Sequence, residues 1–434
     1  MPPAPVPENT GQAKLPDVPN ADGSGMDSLR VLFLSDNFPP ESNAPATRTF
    51  EHAREWVARG HRVTVVTCAP NFPAGRVFPG YRNRWYARET CEGIDVVRVK
   101  TFIAPNEGVL SRILDFLSFM ISGTVAALFQ PRPDVVVATS PQLFAAVAGR
   151  LTAALERRPF VMEVRDLWPS SIVAVGAMRD SVFIRTMERL ERWLYRSADR
   201  IVIVARSFRA EIEKHGIEPS RIAFVPNGVD ERLFRPLGKD DELARRHDLA
   251  DAFVVGYLGT HGMAHDLGHV LEAAERLRDH PGIRFVFVGA GAARAMVESR
   301  VADRGLSNVR LVPAQPRAEI VRWLGLCDAA LVPLRDSPVF AGVLPSKLFE
   351  CQATGTPVIM SVPAGEATAL VTSSGCGVVV PPENPRALAD AIESLADDPV
   401  ACARMREAGL TAAAGGSRSV RALEMLEVFA ACRS

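Results

Sequence analysis

"RVLFLSDNFPPESNAPATRTFEHAREWVARGHRVTVVT" (residues 30–67) decides the architecture. It opens on an unbroken apolar run, RVLFLS (30–35), and closes on another, RVTVVT (62–67). Between them, ATRTFEHAREWVARG (46–60) has the spacing of an amphipathic helix and stops at a glycine. The flanking runs do not alternate apolar with polar. Strands of that kind are covered on both faces, as in a parallel sheet whose crossover helices pack on either side. One strand–helix–strand unit therefore predicts an α/β fold.

The same rhythm continues outward. YARETCEGIDVVRVK (86–100) reads as a hairpin turning at Glu92-Gly93. DVVVATS (134–140), FVMEVRD (160–166), RIVIVA (200–205) and RIAFVP (221–226) follow with helices between them. The pattern turns polar at RPLGKDDELARRHDLAD (235–251), where a linker is expected. It then restarts with FVVGYLG (253–259), RFVFVG (284–289), NVRLVP (308–313), AALVPL (329–334), PVIMSV (357–362) and GVVVPP (377–382). At 434 residues the chain exceeds one ordinary core. The expected organisation is a disordered leader (1–26), two facing Rossmann-like domains (27–238 and 239–415), and a last helix (416–434) packing back on the first domain. Ligands in such sheets bind beyond the carboxyl ends of the strands.

Composition narrows the class. Hydrophobic residues make up 47% and charged residues 23%, the balance of a globular protein. A formal net charge of +0 argues against a general nucleic-acid binder. Seven cysteines without a C-x-x-C suggest free thiols in a reducing cytosol. The leader is rich in Pro, Gly and small polar residues and holds no run resembling a signal peptide. Leu110–Phe129 is nearly all apolar, but Arg112 and Asp115 interrupt it, so a buried or membrane-contacting helix is expected rather than a span. In VFIRTMERLERWLYRSADR, Arg185, Arg189, Arg192, Arg196 and Arg200 fall on one helical stripe. That stripe fits either a solvated face or one meeting anionic lipid.

No G-x-G-x-x-G follows the first strand, and VGAGAARAM (288–296) lacks the third glycine, so nicotinamide-dependent hydride transfer is disfavoured. His261, His265 and His269 have no Cys or Glu at matching spacing, and no metal is expected. Asp166, with Arg165 beside it, lies at a strand's carboxyl edge. In VLPSKLFECQATGTPVI (343–359) a loop runs into a short helix at Ser346. A helix N-terminus attracts anions, and Lys347 adds a full positive charge. Glu350, one turn on, can accept two hydrogen bonds from vicinal hydroxyls. The set has the shape of a nucleoside diphosphate site, and equally of a surface Lys–Glu pair.

A resemblance separates these readings. SKLFECQATGTPVI, with VPNGVDERLF (225–234), GYLGTHGMAHDLGHVLEAAERL (256–277) and GVVVPPENPRALADAI (377–392), resembles glycosyltransferase family 4, the retaining nucleotide-sugar transferases of GT-B fold. FPPESNAPATRTFEHAREWVARGHRVTVVT and EVRDLWPSS resemble its bacterial surface-polysaccharide members. The resemblance implies donor contacts at Glu350 (ribose), at Gly259 and Gly262 beneath the diphosphate, and at Asn43 and Ala44 near phosphate and sugar. Leu344 and Ser346 join them at the helix tip, and Arg165 and Asp166 would face the acceptor. Three positions depart from the family pattern. Gly342 stands where a first glutamate belongs, and Thr260 and His265 stand where Arg and Lys grip the diphosphate. Lys347, loop amides and a protonated His265 are then expected to stabilise the leaving group. The implied catalytic set is Lys347, Asp166 and Arg165, without cofactor or metal. The implied partners are a nucleotide-sugar donor and a lipid-linked saccharide at the inner face of the plasma membrane. A sugar-nucleotide epimerase and a non-catalytic nucleotide-sugar binder share the same pocket.

Overall fold

The computed structural model describes residues 28–72, 74–103, 109–169 and 181–432; the expected leader lies outside them. The first sheet comprises β1 (Arg30–Leu34), β2 (Arg62–Cys68), β3 (Tyr86–Cys91), β4 (Ile94–Val99), β5 (Val135–Thr139), β6 (Phe160–Val164), β7 (Arg200–Ile203) and β8 (Ile222–Phe224). Its order is β3-β4-β2-β1-β5-β6-β7-β8, and only the β3–β4 hairpin is antiparallel. The second sheet comprises β9 (Phe253–Leu258), β10 (Ile283–Val288), β11 (Val309–Val312), β12 (Ala329–Pro333), β13 (Val358–Ser361) and β14 (Gly377–Val380). It is parallel throughout, in the order β11-β10-β9-β12-β13-β14.

The unbroken apolar runs are the central strands. Phe33 on β1 pairs with Val65 on one side and Val137 on the other, and all three are buried. On β9, Val255 is placed likewise between Phe285 and Ala329. In both sheets the chain direction of winding reverses beside the first strand, between β1 and β5 and between β9 and β12. A crevice opens at such a reversal because the two neighbouring crossover loops leave in opposite directions.

The polar stretch between the domains contains a short helix, Asp241–Arg246, whose Leu243 N–H is capped by the Asp240 carboxylate at 2.9 Å. The loop before Ser346 holds another, Pro338–Ala341. Arg200 is not on the arginine helix: that helix is Val182–Ser197, and Arg200 begins β7.

The last helix, Arg418–Ala430, returns to the first domain and lies on helix Ala44–Ala58. The Trp56 indole N–H donates to Ala422 O at 2.8 Å, and Phe429 meets the same ring edge-on at 5.2 Å. Met425, Leu426 and Phe429 are fully buried there, so the first core is incomplete without the end of the chain.

Candidate functional site

The two reversal points face each other across a cleft of about 390 Å³. The first domain contributes Ser42, Asn43 and Ala44, after β1, and Phe72, after β2. The second contributes the turns after β9, β10, β11 and β12, and the start of helix Ser346–Thr354.

That helix begins after Pro345 with no side-chain cap, which leaves its tip to whatever occupies the cleft. Lys347 bends back over the Tyr257 ring, its Nζ 4.0 Å from the centroid. The Nζ is buried and has no hydrogen-bond partner. Burial, opposed by the Glu350 charge, pulls its pKa down from 10.5 to about 8. It remains charged at neutral pH, a cation awaiting an anion.

Gly259 makes this placement possible. It has φ +131°, and a Cβ there would come within 2.7 Å of Lys347 Cε. Tyr257 is fully buried and its hydroxyl donates to Thr260 O at 2.5 Å, which pins the turn.

Glu350 makes no ion pair with Lys347, so the surface-pair reading falls. Its partner is Arg317, at 3.4 Å. Arg317 lies over the Phe234 ring and reaches across the domain boundary to Glu51 at 3.0 Å; Glu51 in turn holds Arg418 at 2.6 Å. Burial raises the Glu350 pKa, opposed chiefly by the Arg317 charge.

Of the residues singled out from sequence, Asn43, Ala44, Gly259, Thr260, His265, Ser346, Lys347 and Glu350 meet in this cleft. Four do not line it. The Leu344 side chain is buried in the core, and its carbonyl accepts from Asn227 Nδ2 at 3.2 Å. Gly262 precedes the turn Met263–His265 and backs the His265 ring. Arg165 and Asp166 follow β6, two strands from β1, which is about 10 Å at ordinary strand spacing. Arg165 sits among Glu163, Arg48 and Arg418, with burial lowering its pKa to about 10.

The protonated His265 is corrected. Its Nδ1 faces Pro333 O at 3.1 Å, and a carbonyl can only accept, so Nδ1 carries the hydrogen. Burial, reinforced by the Lys347 charge, pushes its pKa to about 3. His265 is neutral and offers an Nε2 lone pair, not a cation. No group of three or more His, Cys, Asp or Glu side chains is arranged for a metal among the described residues.

Gly342 has a steric reason. Ser207 Oγ, from the first domain, donates to its carbonyl at 2.9 Å. A Cβ at 342 would stand 2.7 Å from that same Oγ. Glu366 reinforces the contact by accepting from Arg206 N at 2.7 Å. A domain–domain clamp fills the place where a glutamate side chain would project.

Sequence reasoning missed Arg317, Gln315, Phe234, Phe72 and the Gly289–Ala290 turn, all of which line the cleft. Most sit just past a strand's carboxyl end, and that position was the available signal.

Two family models match the chain: "Glycosyl transferase 4-like domain" over residues 43–228 and "Glycosyl transferases group 1" over residues 240–411. The chain belongs to glycosyltransferase family 4. It is 29% identical over 371 residues to the putative colanic acid biosynthesis glycosyl transferase WcaI of Escherichia coli K12, covering 83% of this chain and 90% of that one. Sucrose-phosphate synthase of Thermosynechococcus elongatus superposes with a TM-score of 0.75 at 16% identity, over 93% of this chain and 98% of its own. Anabaena Alr3699/HepE, solved with UDP-glucose, gives 0.71 at 17% identity, over 93% and 100%. The fold of this family 4 glycosyltransferase is GT-B, two Rossmann-like domains about one cleft.

Proposed function

We propose that the protein transfers a sugar, with retention of configuration, from a nucleoside diphosphate sugar to a hydroxyl of a lipid-linked saccharide in surface polysaccharide assembly. The observation that carries this reading is the unpartnered Lys347 ammonium at an uncapped helix tip, one turn from Glu350. A diphosphate at the tip supplies the missing partner of Lys347 and accepts from the free amides. The ribose hydroxyls donate to Glu350, whose carboxylate keeps acceptor positions beyond its contact with Arg317. HepE binds UDP-glucose in a structure of the same fold, which supports a donor of this class. WcaI, named for colanic acid biosynthesis, supports the polysaccharide setting.

The bond from the anomeric carbon to the diphosphate oxygen breaks, and its electron pair leaves with the diphosphate. Lys347 stabilises the charge that develops there. Among the described residues lining the cleft, Glu350 is the only carboxylate, and Arg317 occupies it. No other carboxylate among the described residues lines the cleft to form a glycosyl-enzyme, as a double displacement would require. The acceptor hydroxyl therefore attacks from the side the diphosphate leaves, and its proton passes to the departing oxygen. The chemistry is carried without a metal, and the protein acts on the cytoplasmic side of the membrane.

A thermal-shift panel of nucleotide sugars tests the donor site, since a ligand of the native state raises apparent stability. A shift with at least one nucleotide sugar, lost in Lys347→Met, is expected. No shift with any donor at millimolar concentration refutes the reading. The anomeric proton coupling of the glycoside product tests retention.

A further inference from the structure

Glu51 lies two turns into helix Ala44–Ala58, whose first residue borders the cleft, yet Glu51 itself does not line it. It is a buried carboxylate with a cation on each oxygen. Oε2 accepts from Arg418 Nε at 2.6 Å, at the start of the last helix. Oε1 accepts from Arg317 Nη2 at 3.0 Å, across the domain boundary. Arg48, one turn before Glu51, does not compete for it. Its Nε is held by Glu163 at 2.8 Å, and its two remaining nitrogens donate to the carbonyls of Pro226 and Val225.

Arg317 is therefore divided between two acids. Its Nη2 is committed to Glu51, while Nη1 stands 3.4 Å from Glu350 Oε1, longer than the about 2.7–2.9 Å of a full charge-assisted bond. The Phe234 ring lies against the guanidinium, 4.8 Å from its carbon, and supports it in this divided position. The division has two effects on Glu350. The Arg317 charge opposes the rise in pKa that burial causes, and so keeps the carboxylate ionised. The second anchor keeps Arg317 from closing on Glu350 as a two-pronged fork, the arrangement that guanidinium and carboxylate favour when nothing else holds them. A fork would occupy both Glu350 oxygens, which are the acceptors a ribose needs.

We infer that Glu51 is a positioning residue for the donor: by holding Arg317 back from Glu350, an acid of the first domain keeps the ribose acceptors of the second domain open. The inference rests on the donor reading above. It deepens that reading by giving donor affinity a determinant that the nucleotide never touches.

Arg418 sets the strength of the hold, because it takes one of the two Glu51 oxygens. Removing Arg418 leaves Glu51 to Arg317 alone and tightens the hold. Removing Glu51 releases Arg317 onto Glu350. The two partners of one buried ion pair thus act on the donor in opposite senses, which loss of packing between the two helices cannot do.

The test is a chemical double-mutant cycle on the full chain. Calorimetry compares UDP, GDP and ADP with their 2′,3′-dideoxy counterparts and with inorganic diphosphate. Wild type should bind at least one ribonucleotide about tenfold or more tighter than its dideoxy form. In Glu51→Gln that ribonucleotide should weaken about tenfold, and the gap to the dideoxy form should shrink below about threefold. Inorganic diphosphate, which meets only Lys347 and the helix tip, should bind Glu51→Gln as it binds wild type. Arg418→Gln should keep the full gap. Glu51→Gln leaves Arg418 buried without an anion, so Glu51→Gln with Arg418→Gln is the second variant. It removes the pair together and should show the same narrowed gap with a thermal midpoint near that of wild type. A wild type that binds no ribonucleotide, or binds ribo and dideoxy forms alike, refutes the ribose contact at Glu350, and the inference falls with it. A wild-type gap that persists in Glu51→Gln and in the double variant overturns the inference and leaves the donor reading standing. A gap lost equally in Arg418→Gln also overturns it, since helix packing rather than the division of Arg317 would then govern the donor.

Discussion

Replacing Lys347 with methionine should make the empty protein more stable while disabling it. Lys347 carries a buried charge that no hydrogen bond satisfies. Its pKa drops from 10.5 unfolded to about 8 folded. That gap corresponds to about 3 kcal/mol of unfavourable charge burial at neutral pH. The sign follows from proton counting. Between pH 8 and 10.5 the unfolded chain holds the proton that the folded chain has lost, so this group's contribution to stability rises with pH and is poorest below 8. The Tyr257 ring offsets about 1–2 kcal/mol of the cost through its cation–π contact. Methionine matches the stem without the charge, so Lys347→Met should gain about 1–2 kcal/mol at pH 7. The gain should fade by pH 10. Urea denaturation of both proteins at pH 7 and pH 10, without ligand, measures it. The same variant should lose the stabilisation by a nucleoside diphosphate and about 10²–10³ in kcat, the usual effect of deleting one group that stabilises a developing oxyanion. If Lys347→Met is less stable than wild type at pH 7, the lysine is satisfied within the fold, and the argument for an anion at the helix tip is refuted.

Three further outcomes follow from the same contacts. Affinity for a nucleoside diphosphate should fall as pH rises above about 8, by up to tenfold per unit, because binding requires the protonated lysine; calorimetry in buffers of different ionisation heat should show proton uptake, and a flat profile would count against it. Gly342→Ala should cost about 1–3 kcal/mol in denaturant unfolding by crowding Ser207, and adding Ser207→Gly should recover most of it; an alanine variant as stable as wild type would show that the clamp yields freely. Arg317→Met strands Glu350 beside the second carboxylate, Glu51, and should weaken donor binding about tenfold or more, with a smaller effect on kcat at saturation; an unchanged Kd would remove Arg317 from the donor site.

The fold was legible because parallel strands buried on both faces leave unbroken apolar runs, and Phe33, Val65 and Val255 lie where those runs placed them. The helix at Ser346 was legible for a similar reason: a proline, a lysine and a buried strand close together leave few arrangements. The place of Arg165 and Asp166 outside the donor cleft was not legible, because a strand's carboxyl end looks the same in sequence whether it stands at the reversal point or two strands away. Strand order is long-range information that no local pattern carries. Protonation of His265 could not be read for a related reason, since Pro333 and Lys347, which set it, lie about 70 to 80 residues away. The significance of Gly342 depended on Ser207, a residue of the other domain.

The return of the final helix has a consequence for how the molecule is made. A ribosome finishes the strands of the amino-terminal domain long before it adds Ala422 and Phe429. Until then Trp56 has neither its hydrogen-bond acceptor nor its edge-on ring. The half translated first is therefore completed last, and its open seam stays exposed to chaperones or to neighbouring nascent chains throughout translation of the other half. Truncation by a single premature stop near the end would injure the domain at the opposite end of the message.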